Sequence, residues 1–384
     1  MDNLNYYNPK VNKTNPRRKT LIILNIIGLI VLVGVIIGGW LFLSKKNIKP
    51  SLPFLKTSSK PYDGYFWGVA TNPYVFNTKS DKFHKENVDA QVEYWKDLGV
   101  KAVRINFEFS KQKPENFLEA NDYLVDKLNE NNIETLMVIE SPLGDFIGEA
   151  NQDNGYSWGK HIAEHFKGKV RYYQMLNEVS GTAIKPNYPG NNFSDFDSEK
   201  YRAVKDYLLG LSKGIKEADP DAKRVVSAHW VGIAIIDKLI EDGVDFEIIG
   251  WNWFSSMGDD PTNVKMPDGS NLNIPDYLKK YNKKFWITEA NRSEGSYDNK
   301  EKEQAEFINS LINNIKKSDL ISGIFVYRLF DTTSAADGVQ NNDTVWGIVK
   351  EKQKADGKWE PGAKKEAFDT YRSLIAKYGN KLTK

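Results

Sequence analysis

Eight short apolar, β-branched or aromatic runs alternate with longer stretches of helical period, and few folds accept that pattern. The runs lie at 65–70, 102–107, 135–139, 171–176, 224–228, 246–251, 284–288 and 321–327. Helical stretches follow at 87–98, 120–131, 157–166, 198–218, 231–241, 274–281, 300–317 and 364–378. Strands of this kind cannot be joined by hairpins, so the sheet must be parallel with its crossovers made by helices. The expected fold class is α/β, a (β/α)8 TIM barrel over 63–384. The alternative is a doubly wound open sheet, but no Gly-x-Gly-x-x-Gly fingerprint opens any of the helices.

The barrel has an appendage. Residues 1–19 form a polar tail ending in Pro16-Arg17-Arg18-Lys19, and 20–43 are almost wholly apolar, with Asn25 the one strongly polar interruption. Roughly 24 residues at 1.5 Å each span a hydrocarbon core of about 30 Å. Trp40 stands near the exit end, where an indole suits the interface. Trp40-Leu41-Phe42-Leu43 is a poor signal-peptidase site, so an uncleaved transmembrane helix is expected rather than a leader. Residues 44–62, with Pro50, Pro53 and Pro61, read as a linker. Lys10, Lys13, Arg17, Arg18 and Lys19 precede the span, against Lys45, Lys46, Lys49 and Lys56 after it. That bias puts the N-terminus inside and the barrel outside the cell membrane, facing polysaccharide.

Charge and composition exclude several partners. A formal charge of +2 gives no basic face for nucleic acid. Absence of cysteine removes disulfides, thiolate metal sites and thiol nucleophiles. Of the four histidines, His161 and His165 fall in His161-Ile162-Ala163-Glu164-His165, the spacing of an inverted zinc-peptidase motif. A third ligand would have to come from elsewhere. Ile162 and Phe166 read as the buried side of this helix, so the motif is taken as surface and no metal or other cofactor is expected.

In a parallel barrel the strand C-termini share one face, so residues at strand ends converge. Here they include Arg104 to Glu108, Glu140, Asn177-Glu178, His229-Trp230, Trp251 to Phe254, Glu289 to Asn291 and Tyr327 to Asp331. Two apolar strands each deliver one glutamate, Glu178 and Glu289, as paired-carboxylate chemistry requires. The surrounding indoles and amides suit a carbohydrate: indole faces stack on pyranose rings and amides bond hydroxyls. Glu108 and Glu140 are read as rim or substrate-contact residues.

Leu176-Asn177-Glu178 on the fourth strand and Trp286-Ile287-Thr288-Glu289 on the seventh resemble clan A, the large barrel clan of retaining glycoside hydrolases. Leu98-Gly99-Val100-Lys101-Ala102-Val103-Arg104 is similar to the clan's second strand, and His165-Phe166-Lys167-Gly168-Lys169-Val170 to its approach to the fourth. The resemblance covers about 63–350 and implies double displacement, with Glu178 as acid/base and Glu289 as nucleophile. Asn177 would bond the substrate 2-hydroxyl, and Arg104 would keep Glu289 ionised. Trp67, Trp230, Asn252, Trp253, Tyr327 and Trp346 complete the expected substrate-binding set.

Two departures stand out. The clan's sixth strand commonly carries His-x-Tyr, its tyrosine touching the nucleophile; here Asn252 and Phe254 fall in those places. The clan's eighth strand commonly ends in Trp, where this chain has Tyr327-Arg328-Leu329-Phe330-Asp331, leaving Tyr327, Phe330 or Trp346 to serve. The expected function is cleavage of β-glycosidic bonds in an extracytoplasmic polysaccharide or oligosaccharide. The alternative is a non-catalytic carbohydrate-binding barrel in envelope polysaccharide assembly.

Overall fold

A computed structural model describes residues 62–72, 85–107, 114–266, 268–332, 344–357 and 359–379. The chain divides into two units, 1–56 and 57–384, and all the described residues belong to the second. The expected transmembrane run at 20–43, and Glu108, lie outside the described residues. Among the described residues no helix is long and apolar enough to cross a membrane.

Eight strands close into one all-parallel barrel: β1 (Phe66–Thr71), β2 (Ala102–Phe107), β3 (Glu134–Ile139), β4 (Tyr172–Met175), β5 (Lys223–His229), β6 (Ile248–Phe254), β7 (Lys284–Asn291) and β8 (Ile321–Val326). Each strand pairs with its neighbours in sequence, and β8 returns to β1. The outer helices are α1 (Lys85–Leu98), α2 (Pro114–Glu130), α3 (Gln152–His165), α4 (Ser198–Ala218), α5 (Ile233–Glu241), α6 (Ile274–Leu278), α7 (Glu301–Ile315) and α8 (Glu366–Tyr378). The helix α4 starts where Asp197 accepts the backbone N–H groups of Glu199 and Lys200, and it stops just ahead of Pro220. The helix α1 ends at Gly99, whose φ of +75° suits glycine.

The period of two along each strand sorts side chains into two cores. One apolar layer fills the barrel with a residue from every strand: Phe66, Ala102, Leu136, Tyr172, Val225, Ile248, Trp286 and Phe325. The opposite strand faces meet the helices in a larger core. This sorting corrects two expectations. Trp67 lies between inward Phe66 and Gly68; its ring meets Tyr371 of α8 and its Nε1 donates to the Gly379 carbonyl. Trp253 neighbours inward Asn252, is fully buried in the outer core and donates to the Gly258 carbonyl. Neither indole is available to a sugar. Phe330 is likewise buried, packed edge-on against Tyr94.

Candidate active site

Above the apolar layer the barrel interior turns polar. Arg104 on β2 is buried, and its Nη1 lies 2.7 Å from Glu289 Oε1. Its Nε donates to Gln174 Oε1 at 3.2 Å and its Nη2 to Asn177 Oδ1 at 3.0 Å. Gln174 Nε2 donates to Asn177 Oδ1 at 3.1 Å and to Ser227 Oγ at 2.9 Å, and Ser227 Oγ accepts the Glu178 backbone N–H at 3.0 Å. Three N–H donors thus converge on Asn177 Oδ1, with Asn252 Nδ2 at 3.2 Å the third. That fixes which end of the Asn177 amide is oxygen. Its NH2 then has no protein acceptor among the described residues, and Asn177 is half-buried at the mouth.

Local backbone irregularities aim both carboxylates. The regular part of β4 stops at Met175, and Leu176 and Glu178 adopt left-handed φ of +62° and +46°. A side chain in that region costs energy and persists where surrounding contacts hold it. On β7 the register slips beside Glu289: Trp251 pairs with Ile287, but Asn252 pairs with Glu289. This bulge turns consecutive Thr288 and Glu289 both toward the polar interior, which strict alternation forbids. There Thr288 Oγ1 donates to Asn252 Oδ1 at 2.8 Å, so Asn252 Nδ2 must face the other way, and it donates to Glu178 Oε1 at 3.1 Å. Asn252 is wholly buried and reaches Glu178 and Asn177. The sequence places it among the substrate-binding residues; the geometry makes it an orienting amide instead.

The environments of the two carboxylates differ. Burial pushes Glu289 up to about 7; the Arg104 cation opposes this, while the Glu178 and Glu140 charges add to it. Arg104 opposes the rise but does not outweigh burial. Glu178 is half-buried and accepts from the neutral amide of Asn252. Glu140 is half-buried at the end of β3, and its carbonyl accepts Trp158 Nε1 at 2.9 Å.

Aromatic rings wall the side nearest Glu289. Tyr327, Trp346 and Phe254 are half-buried, with Tyr327 and Trp346 5.4 Å apart edge-on and Phe254 6.2 Å from Trp346. Burial raises the Tyr327 phenol, and the Glu289 charge adds to the rise. Asn291 Nδ2 donates to the Tyr327 and Trp346 carbonyls, the latter at 2.7 Å, and Gln304 Nε2 donates to Asn291 Oδ1 at 3.1 Å. Asn291 is among the strand-end residues the sequence brings to this face, whereas Gln304, Gln174 and Ser227 escape a reading of the sequence alone. For Gln174 and Ser227 the available signal is a polar side chain on the inward phase of an apolar strand; Gln304 lies on the helix α7 and has no such signal. Trp230 stands at the mouth on the β5 side, 37% exposed. The His161-to-His165 motif does not converge: His165 Nε2 lies 2.8 Å from Asp122, and His161 stacks on Trp158. Among the described residues no three His, Asp or Glu side chains are placed to hold a metal.

Residues 265–348 match the model of a family described as glycosyl hydrolase catalytic core. No curated protein matches the chain. Among solved structures, the chain is similar to a beta-glucosidase from Thermotoga maritima in complex with castanospermine, at 15% identity and a TM-score of 0.59, covering 83% of this chain and 98% of that one. The complex of a beta-glucosidase from Thermotoga maritima with galacto-hydroximolactam matches at 16% identity and 0.59, covering 83% and 99%. A Family 1 b-glucosidase from the same organism, with isofagomine lactam, matches at 16% and 0.59, covering 83% and 99%. Likeness at this identity concerns the fold.

Proposed function

With a glycosyl hydrolase catalytic core as the premise, we propose that the chain is a retaining glycoside hydrolase cleaving β-glycosidic bonds of an extracytoplasmic glycan. The observation that carries this reading is the shared network: Arg104 grips Glu289 while Asn177 and Asn252 link that grip to Glu178. A carboxylate beside a guanidinium is suited to attack, and a partly open carboxyl is suited to exchange a proton with a leaving group. In the first step a Glu289 oxygen bonds the anomeric carbon as the glycosidic bond breaks, and Glu178 donates its proton to the departing oxygen. In the second, water attacks the anomeric carbon, Glu178 takes the water proton, and Glu289 leaves as carboxylate. The Asn177 NH2 would donate to the 2-hydroxyl, and Tyr327 with Trp346 would floor the cleaved-sugar subsite.

The proposed setting is the outer face of the cell membrane, anchored through 20–43 with the N-terminus inside. The apolar length of that run and the basic residues before it support this.

The test is turnover of a panel of 2,4-dinitrophenyl β-glycosides (gluco, galacto, xylo and manno), with product stereochemistry followed by NMR. Net retention is expected. Glu289→Ala should lose at least about 10⁴-fold in kcat and regain activity with azide, giving an α-glycosyl azide. Inverted product, or no turnover in the panel, would end the reading. A non-catalytic binder would hold glycans equally well with both glutamates changed to Gln and would turn over nothing.

A further inference from the structure

The end of β5 carries a second constellation beside Glu178. Trp230 is 37% exposed, yet its backbone sits at φ +47°, in the left-handed region. That conformation is strained for a bulky residue and persists where surrounding contacts hold it. It is held by a neighbour: Trp251 Nε1 on β6 donates to the Trp230 carbonyl at 2.9 Å. The backbone that presents this exposed indole is thus held in place before any ligand arrives.

His229 is fixed as well. Ser180 Oγ accepts the His229 backbone N–H at 3.1 Å and lies 2.8 Å from His229 Nδ1. Ser180 is buried, and its hydroxyl hydrogen has one acceptor among the described residues, Nδ1. The ring hydrogen is thereby assigned to Nε2, a donor. The imidazole lies on the Glu178 side of the mouth: a methyl added at Gly181, three residues after Glu178, would lie 3.1 Å from His229 Cε1 and 4.0 Å from Glu178 Cβ. His229 is half-buried.

We propose that His229 and Trp230 form the leaving-group subsite, and that the leaving group is itself a sugar unit. The inference rests on the retaining reading above. Glu178 protonates the glycosidic oxygen, so the group bonded to that oxygen departs on the Glu178 side of the cleft. β5 lies next to β4 on that side, whereas Tyr327 of the aromatic wall follows β8, beyond Glu289 on β7. An indole face offers an apolar surface to the C–H face of a pyranose, and the imidazole N–H offers a donor to one of its hydroxyls. A flat apolar aglycone would use the indole and leave the imidazole donor unmet. The enzyme therefore cuts between sugars.

Transglycosylation reads this subsite directly. A sugar acceptor occupies the place the leaving group vacated. Its hydroxyl oxygen bonds the anomeric carbon, the bond to Glu289 breaks, Glu289 departs as carboxylate, and Glu178 takes the hydroxyl proton. Methanol performs the same chemistry without needing a subsite, so it serves as the internal competitor. The donor is the dinitrophenyl glycoside that the wild type turns over fastest; the acceptors are cellobiose, xylobiose and mannobiose, each competed with methanol. The full-length wild type should prefer a disaccharide over methanol per mole. Trp230→Ala should lower that ratio about tenfold, the loss of roughly one stacking contact. Trp230→Phe should fall between, and His229→Ala should lower the ratio while His229→Asn, which keeps a donor, retains more of it. A retained product with no wild-type preference for disaccharide, or an unchanged ratio in folded Trp230→Ala or Trp230→Phe, would overturn the subsite alone. Inversion, or no turnover of any donor, would remove the retaining reading and the subsite with it.

Discussion

Glu289 carries two opposed demands, and its titration exposes both. Burial lifts it from an ordinary 4.5 to about 7 against the pull of Arg104. Attack needs the ionised form, so kcat/KM, which reports the free enzyme, should fall about tenfold per pH unit below about pH 7. An acidic limb near pH 4 to 5 would contradict this. Stability must follow the same titration. With the folded value raised, the stability linked to a protonated Glu289 is present below about 4.5 and is lost as pH rises through about 7. Glu289→Gln stays neutral throughout. It should match the wild type near pH 4.5 and exceed it by on the order of 3 kcal/mol above pH 8, read as a Tm difference that grows with pH. A gap that ignores pH would sink the argument. The two glutamates and Arg104 were legible in the sequence because strand ends in a parallel barrel must converge. Trp67 and Trp253 mislead a reading of the sequence because an indole near a strand end suits a sugar until the period of two is applied. Inward Asn252 already excluded an inward Trp253. The bulge that turns both Thr288 and Glu289 inward leaves no mark in the residues themselves.

At the scale of elements, the helices flanking β4 set where Glu178 stands. α3 and α4 cross through Gly155 and Gly159 on one and Gly210 and Gly214 on the other. A methyl at Gly155 would overlap the Tyr207 carbonyl, and one at Gly210 the Gln152 carbonyl. Propensity alone favours alanine over glycine in a helix by about 1 kcal/mol. Here overpacking of backbone against backbone, at about 1–3 kcal/mol or more, opposes that gain and outweighs it. Gly210→Ala should therefore lower Tm despite its better helix propensity, and Gly210→Leu should lower it further; a rise in Tm would show that the helices can part freely. All eight strands and the eight outer helices were visible in the sequence because each buries a stripe or face with a clear period. The hairpin of 349–353 with 359–364 was not. It carries Pro361 and Gly362, which read as loop but are tolerated in a two-stranded ribbon with open edges. The turns at 146–149 and 179–183, four and five residues long, are too short to leave a period.

At the scale of the whole barrel, the polar floor of the site rests on the apolar layer beneath it. Trp286 dominates that layer: its ring lies 4.7 Å from Phe66, 5.1 Å from Tyr172 and 5.9 Å from Phe325, and Nε1 donates to Ser322 Oγ at 3.1 Å. The layer is filled to its limit. A methyl at Gly68 would overlap the Phe325 ring, and one at Gly323 would stand 3.0 Å from both Phe66 and Trp286. Glycines on these two strands make room for the large rings, so the rings cannot be replaced by repacking of small neighbours. Trp286→Ala removes the largest member and leaves a cavity that eight strands closed on one another cannot collapse to fill. The expected cost is about 3–5 kcal/mol, near the upper range for a buried aromatic. Trp286 also sits three residues before Glu289 on the same strand, so the cavity should loosen the Arg104–Glu289 pair as well as lower Tm. Trp286→Phe, which keeps most of the volume, should recover much of both. If Trp286→Ala melted like the wild type, the barrel would be held by its helices alone, and the apolar layer would not be the foundation on which the carboxylates stand.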